Sequence, residues 1–193
     1  MSTSSASLEL GRLTSEEYHR LIESGAFDEN PHVELIDGLL CEMSPRTPGH
    51  EQAVENLNRV LAVALDHERY RLRPGCALSL GDSEPEPDFA IVERGTAAPY
   101  HPAGAKLVIE VAVSSRKRDL EVKPRLYSIA GAEEYWVIDV ERARAFVHRE
   151  PVDGGYRSRI ELGPGQALDG SLVGVGEIPL DVVLAAAAGT AKR

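Results

Sequence analysis

Cysteine is scarce in this 193-residue sequence, which contains only Cys41 and Cys76. Their positions match neither a metal-binding spacing nor a disulfide framework, so we expect both to be reduced thiols in or near the core. Long apolar runs are also missing, since no segment approaches the roughly 20 apolar residues of a membrane-spanning helix. The N-terminal residues lack the basic start and apolar run of a signal peptide. These absences predict a soluble, cytoplasmic protein with no membrane partner.

An excess of basic residues is lacking as well. The formal net charge is −10, which argues against non-specific adhesion to nucleic acid or anionic membranes over the whole surface but leaves room for a local basic face. Hydrophobic residues make up 42% and charged residues 27% of the chain, which is ordinary for a globular protein. No repeat or linker divides the sequence. We therefore expect one domain over residues 1–193, with residues 1–10 and 189–193 fraying.

Helix and turn signals set the order of the elements. Thr14 and Glu17 have capping-box spacing before a helix over Ser15 to Ser24, and Asp37-Gly38 predicts a hairpin over Val33 to Met43. Helical apolar spacing runs from Ala53 to Leu65. Further strands are predicted at Tyr70 to Leu80 with a bend at Pro74-Gly75, Phe89 to Val92, Leu107 to Val113, Glu134 to Val140, Ala145 to His148 and Tyr156 to Leu162, with a closing helix at Leu180 to Ala188.

An acidic residue interrupts the most apolar strand. Glu110 lies inside the run Leu107 to Val113, where burial of an unpaired carboxylate would cost several kcal/mol. We therefore expect Glu110 to face a site, a metal or a cation. Asp88 lies at the entry of the preceding strand, and Lys123 follows Glu110 by thirteen residues. Two carboxylates on neighbouring strands with a nearby amine indicate a site for a metal ion and its water.

In this order of Asp88, Glu110 and Lys123, the chain resembles the PD-(D/E)xK nuclease superfamily, and more closely the Uma-type family of restriction endonucleases. The resemblance covers nearly the whole sequence. The residues that carry it are Val33 to Gly38, Ser44-Pro45 leading to His50, Pro87-Asp88, Leu107 to Val111, Lys123, Tyr127, Gly131 and Tyr135-Trp136.

The resemblance implies a restriction-endonuclease-like α/β fold, with a central mixed β-sheet, flanking helices and β-hairpins. It further implies an endonuclease that hydrolyses DNA phosphodiester bonds with a divalent metal, Mg²⁺ or Mn²⁺. Such a hard cation prefers carboxylate oxygens and acidifies its bound water. By the same resemblance Asp88, Glu110 and Val111 are metal ligands, Lys123 is the catalytic amine and Glu34 is an accessory acid. Two close carboxylates repel each other, so at least one pKa should rise without metal.

One position departs from the usual superfamily pattern. The lysine ordinarily lies two residues after the acid, and that position here is Ala112. Lys123 on the following helix is therefore the candidate. Pro124 disfavours α conformation at the residue before it, which should place the amine at the mouth of the helix.

Each candidate also has a plain structural explanation. Asp88 could cap a strand entry, Glu110 could pair with a buried arginine, and Glu34 could lie on the wet face of its hairpin, bind a second metal or hold Lys123. His50 fits a helix entry better than a phosphate contact. The aromatic rings of Tyr127 and Trp136 are expected in the core. A basic run could either contact phosphates or be solvated; it comprises Arg116, Lys117, Arg118, Lys123 and Arg125.

Two other functions stay open. A catalytically inactive interaction or nucleic-acid-binding module would explain the acidic charge and the absence of lysine at position 112. A metal hydrolase acting on small phosphoesters is the third possibility. For an endonuclease, a homodimer is the simplest way to cut both strands, because it supplies two related sites.

Overall fold

The computed structural model describes residues 11–27, 32–95 and 100–186. In chain order its elements are α1 (Ser15–Glu23), β1 (Val33–Ile36), β2 (Leu39–Glu42), α2 (Pro48–Ala64), β3 (Tyr70–Pro74), β4 (Phe89–Glu93), β5 (Leu107–Ala112), α3 (Arg116–Glu121), α4 (Lys123–Ile129), β6 (Glu134–Asp139), β7 (Arg144–Val152), β8 (Gly155–Leu162), β9 (Ala167–Asp169), a 3-10 turn (Ser171–Val173), β10 (Glu177–Pro179) and α5 (Leu180–Val183). Within those ranges, no helix combines the length and the apolar character needed to cross a membrane.

A six-stranded mixed sheet forms the centre, in the order β3-β4-β5-β6-β7-β8. Strands β5 and β6 are parallel, and every other neighbouring pair is antiparallel. A parallel pair needs a crossover connection, and α3 and α4 supply it here. The α/β class with a central mixed sheet, flanking helices and hairpins is therefore confirmed.

The two faces of β5 are covered by different helices, and this decides where Glu110 points. All six residues of β5 are buried. Ile109 and Val111 belong to the apolar cluster that contains Leu57 and Leu61 of α2, whereas Val108 belongs to the cluster on the other face. Because side chains alternate along a strand, Glu110 shares the face of Val108, towards α4.

The first helix and the first hairpin were predicted correctly from local sequence patterns. Thr14 and Glu17 form the expected capping box at the start of α1. Asp37 and Gly38 both have positive φ, at 49° and 74°, which is the requirement of a type I′ turn. The hairpin is fastened to the chain before β4 by the hydrogen bond from the Glu84 amide to the Leu35 carbonyl, at 2.7 Å. Cys41 and Cys76 are free thiols, as expected.

Other boundaries were wrong. The predicted strand over Tyr70 to Leu80 ends at Pro74, because the chain after Gly75 pairs with a local loop instead of the sheet: the Leu78 amide donates to the Pro85 carbonyl at 3.1 Å. The closing helix ends at Val183, whose carbonyl accepts a hydrogen bond from the Asn56 side chain at 3.1 Å. The predicted continuation at 187–188 and the predicted fraying at 1–10 and 189–193 lie outside the described residues.

Candidate active site

A buried ion pair lies between the central sheet and α4. The Lys123 Nζ atom is 2.7 Å from Glu110 Oε1, and the Tyr127 hydroxyl donates to the same oxygen at 2.8 Å. Lys123 and Tyr127 are four residues apart on α4, so both lie on the helix face that meets β5. The side chain of Glu110 therefore finds its cation on the adjacent crossover helix. The alternative of a salt bridge with an arginine is wrong, because the partner is this lysine.

Lys123 is surrounded by carboxylates. Besides Glu110, its Nζ atom lies 3.3 Å from Glu34 Oε2 and 3.8 Å from Asp119 Oδ1, although the residue is only 3% exposed. Burial acts to lower the pKa of the Lys123 amine, but the three negative charges outweigh burial and hold that pKa above its ordinary value. The side chain is therefore an ammonium at any physiological pH.

Glu110 is correspondingly hard to ionise. Its pKa is raised to about 8. Burial is the main cause, and the charges of Asp119, Asp88 and Glu34 act in the same direction against the opposing charge of Lys123. The expected rise of at least one carboxylate pKa is therefore present, with burial ahead of repulsion as its source. Burial also raises the pKa of Asp119.

Asp88 approaches the same region from the neighbouring strand. It immediately precedes β4, and its Oδ2 atom accepts a hydrogen bond from the Val111 amide at 2.7 Å. Its Oδ1 atom lies 3.1 Å from His50 Nε2, in the first turn of α2. His50 is thus at a helix entry, as expected, but its contact with Asp88 was not predicted. These contacts hold Asp88 beside the residue that follows Glu110.

Glu34 reaches the site because the first hairpin packs beside the segment that leads into β4. Its Oε2 atom accepts a hydrogen bond from the Glu86 amide at 3.3 Å, and its Oε1 atom lies 3.5 Å from Arg118 Nε. The side chain is 1% exposed, so it does not lie on a wet face of the hairpin. Glu34 could have bound a second metal or held Lys123, and its contact with Lys123 matches the second of these roles.

All five predicted site residues line one cavity of about 60 Å³. They are Glu34, Asp88, Glu110, Val111 and Lys123. Eight further polar residues, which are not among the predicted site residues, line the same cavity: Ser44, Arg46, His50, Glu86, Ser114, Ser115, Arg118 and Asp119. Asp119 carried one usable signal, because it precedes Lys123 by four residues, the spacing of side chains that meet on a helical surface.

The donors at this cavity fit a hard divalent cation. Glu110 receives both of its hydrogen bonds on Oε1. Asp88 is held by the Val111 amide at Oδ2 and contacts His50 Nε2 through Oδ1. Two buried carboxylate oxygens have no hydrogen-bond partner among the described residues, although each lies near a cationic nitrogen: Glu34 Oε1 is 3.5 Å from Arg118 Nε, and Asp119 Oδ1 is 3.8 Å from Lys123 Nζ. Buried polar atoms are ordinarily satisfied, and a cation with its water shell would satisfy oxygens of this kind.

Most of the basic run is paired within the protein. Arg116 Nε lies 2.6 Å from Asp139 Oδ2, Arg118 donates to the Glu42 carbonyl at 2.8 Å, and Arg125 pairs with Asp37. Lys117 is exposed. Tyr127 and Trp136 are fully buried, as expected of core aromatics, and the hydroxyl of Tyr127 makes it part of the site as well.

Comparison with known proteins agrees with this architecture. A family model described as "Uma2: Putative restriction endonuclease" matches residues 15–182. No match is found among curated proteins. Among solved structures, the chain is similar to a "putative nuclease belonging to DUF820" from Anabaena variabilis ATCC 29413, with a TM-score of 0.70 and 17% sequence identity. That similarity covers 89% of this chain and 97% of the other, and at this identity it establishes the fold.

Proposed function

The chain belongs to the Uma2 family, and on that basis we propose that it is a divalent-metal-dependent endonuclease hydrolysing phosphodiester bonds of DNA. The observation that carries the proposal is the buried Lys123–Glu110 pair, 2.7 Å apart, in a cavity that Asp88 also lines. A structural ion pair alone would not need the additional buried carboxylates around it, because removing two or more acids from water is costly.

The cation would be held by the carboxylates of Asp88 and Glu110 and by the main-chain oxygen of Val111. When bound, Mg²⁺ or Mn²⁺ supplies Lewis-acid polarisation of a phosphate oxygen and a more acidic water. The oxygen-only donor set is of the type that these hard ions prefer. A bound cation would also favour the ionised form of Glu110, whose pKa is raised to about 8 by burial.

Lys123 acts as a fixed positive charge in this proposal. Because its pKa is held above the ordinary value, the ammonium does not take a proton from water, and it serves to stabilise negative charge on the phosphate under attack. Glu34 and Asp119 hold the ammonium in place. The Tyr127 hydroxyl orients Glu110 by its hydrogen bond at 2.8 Å.

Plasmid cleavage tests the assignment. In Mg²⁺ or Mn²⁺, Glu110→Gln and Lys123→Ala should each reduce the rate of nicking by about 100-fold or more, the scale on which single charged groups in active sites act. Two matched surface variants, Glu161→Gln and Lys106→Ala, should cleave at the wild-type rate. Equal cleavage by all the proteins would identify a contaminating nuclease and remove the assignment.

A non-catalytic module of the same fold is the second candidate, favoured by Ala112 at the usual lysine position. Calorimetric titration with Mg²⁺ or Mn²⁺ separates the two, because a module without a metal site would release no heat and gain no thermal stability. Hydrolysis of chromogenic phosphoesters without any DNA cleavage would instead indicate a hydrolase for small substrates.

We also propose that the active form is a homodimer in the cytoplasm, where the two free thiols of Cys41 and Cys76 stay reduced. Two copies related by symmetry would present two cavities to the two strands of a duplex. Light scattering on the purified chain, with and without a short DNA duplex, should give twice the chain mass of 20.9 kDa for the protein component. A mass of one chain under both conditions would contradict the dimer.

A further inference from the structure

A second group of ligand-type side chains meets away from the cavity described above. It consists of His19 on α1, Glu84 before β4, and His101, whose potential ligand atoms all lie within 4.8 Å of one another. His19 Nε2 is 2.8 Å from Glu84 Oε2, and His101 Nε2 is 3.9 Å from the same oxygen. None of these three residues lines the cavity of Glu110 and Lys123.

Neighbouring residues contact all three members of the group. The Ser79 hydroxyl donates to Glu84 Oε1 at 3.3 Å and accepts from the His101 amide at the same distance. The ring of His19 stacks on Tyr100, with centroids 3.7 Å apart and planes inclined by 16°. The Glu84 side chain is only 1% exposed, whereas that of His101 is 33% exposed. The group therefore has a buried carboxylate, one imidazole stacked on an aromatic ring, and an open side at the other imidazole.

We propose that His19, Glu84 and His101 form a binding site for a transition-metal ion of the zinc type. Two imidazoles and one carboxylate, with a fourth position open to water, are a common ligand set for Zn²⁺. Imidazole is a poor ligand for Mg²⁺, so two histidines favour a zinc-type ion here, whereas the carboxylates of Asp88 and Glu110 favour Mg²⁺. The chain would thus carry a site with two imidazole ligands in addition to its carboxylate site.

The observed spacing is close to what a tetrahedral ion needs. Bonds of about 2.0–2.1 Å imply ligand atoms about 3.4 Å apart. The atom pairs here span from 2.8 Å to at most 4.8 Å, so each pair would adjust by about 1.5 Å or less, within the reach of side-chain rotation. A hydrogen bond between His19 Nε2 and Glu84 would explain the shortest contact without metal, but it gives His101 no role.

A metal at this position would join three separate parts of the chain: α1, the segment before β4, and the chain that follows residue 99. The segment before β4 also contains Glu86, whose amide binds Glu34 at 3.3 Å, and ends at Asp88. The ion would therefore fix the segment that carries one side of the candidate active site. Its expected effect is on stability, because a ligand that binds only the folded chain raises the melting temperature.

Zinc titration of the full chain tests the site. After removal of metals, and with Mg²⁺ in excess to occupy the cavity of Asp88 and Glu110, Zn²⁺ should bind one ion per chain with a Kd of about 1 μM or tighter. It should raise the melting temperature by about 5 °C or more. Co²⁺ should give the visible absorption of a four-coordinate ion. His101→Ala, at a side chain one-third exposed, should weaken binding at least about 100-fold.

Two controls separate this site from the proposed active site. His67→Ala changes an exposed histidine near the end of α2 and should leave Zn²⁺ binding unchanged. Glu110→Gln should also leave Zn²⁺ binding unchanged, while it slows cleavage by about 100-fold or more. The proposal is overturned if the wild-type chain binds no Zn²⁺, if a folded His101→Ala chain, judged by its circular dichroism, binds as the wild type does, or if Glu110→Gln removes the binding.

Discussion

Replacing Lys123 with methionine tests the electrostatics of the candidate site most severely. Methionine keeps most of the volume of the lysine stem and removes the ammonium, so the cavity stays filled. Glu110, Glu34 and Asp119, all within 4.0 Å of Nζ, then lose their shared cation. The change isolates the charge from the packing.

The magnitude follows from burial. Removing one partner of a buried ion pair costs about 3–5 kcal/mol, because an uncompensated charge remains. The loss should be larger at pH 8.5 than at pH 5.5. Lys123 is the cation that opposes the rise in the pKa of Glu110, so in the variant this pKa moves above about 8. Because folding raises the pKa of this carboxyl, its contribution to the stability of the folded state is fully present at pH values below the pKa of the unfolded chain. That stabilising contribution is lost as the pH rises through the pKa of the folded chain.

Urea unfolding of Lys123→Met and wild type at both pH values measures this loss. The surface variant Lys106→Met removes a partly exposed lysine that pairs with Glu133 and Glu93 and should change the unfolding free energy by about 0.5 kcal/mol or less. A loss below about 1 kcal/mol for Lys123→Met, or a loss independent of pH, would refute the charge arrangement described here.

Three further outcomes follow from the contacts. Tyr127→Phe removes one hydrogen-bond donor to the buried Glu110 oxygen, so it should lower the free energy of unfolding in urea by about 1–2 kcal/mol and slow cleavage. Unchanged stability and an unchanged cleavage rate would contradict the role of Tyr127 in orienting Glu110. Burial lowers the pKa of His148 to about 4, so the free energy of unfolding of the wild type should fall by up to about 3 kcal/mol as the pH falls from 6.5 through 4. His148→Gln should flatten this pH dependence, and equal slopes for the two proteins would contradict it. Gly38→Ala combines a φ of 74° with a Cβ placed 2.8 Å from the Arg12 Cβ and should lower the free energy of unfolding by more than about 1 kcal/mol. The control Gly81→Ala has a φ of 66° but open space around the new Cβ, so it should be less destabilising. Equal losses for the two variants would mean that the clash contributes nothing.

Features that depend on neighbouring residues in the chain could be predicted from the sequence. The turn at Asp37 and Gly38 needs only its own backbone angles, and the cap at Thr14 needs only the residue three positions on. The prediction that Glu110 faces a site, a metal or a cation needs only the observation that a single charge interrupts a β-branched run. The family resemblance named Lys123 as the catalytic amine, but the sequence did not predict its contact with Glu110.

Contacts between distant segments could not be predicted in this way. His50 reaches Asp88 across 38 positions in the sequence, and nothing in the helical pattern of α2 indicates which strand entry its first turn will face. The prediction that the strand continues beyond Pro74 is wrong for a similar reason. The β-propensity of a segment depends on its own residues, whereas its pairing into a sheet depends on the neighbouring strand. Glu84, His19 and His101 likewise come from three regions that only the tertiary structure brings together.

The central claim is that Asp88 and Glu110 bind one divalent cation beside the ammonium of Lys123. The most direct measurement is a crystal structure of the chain in Mn²⁺, with the anomalous signal locating the ion. We expect a peak about 2.2 Å from a carboxylate oxygen of each acid, the separation typical of such oxygen ligands. No peak in that cavity, or an ion bound to only one of the two acids, would contradict the claim.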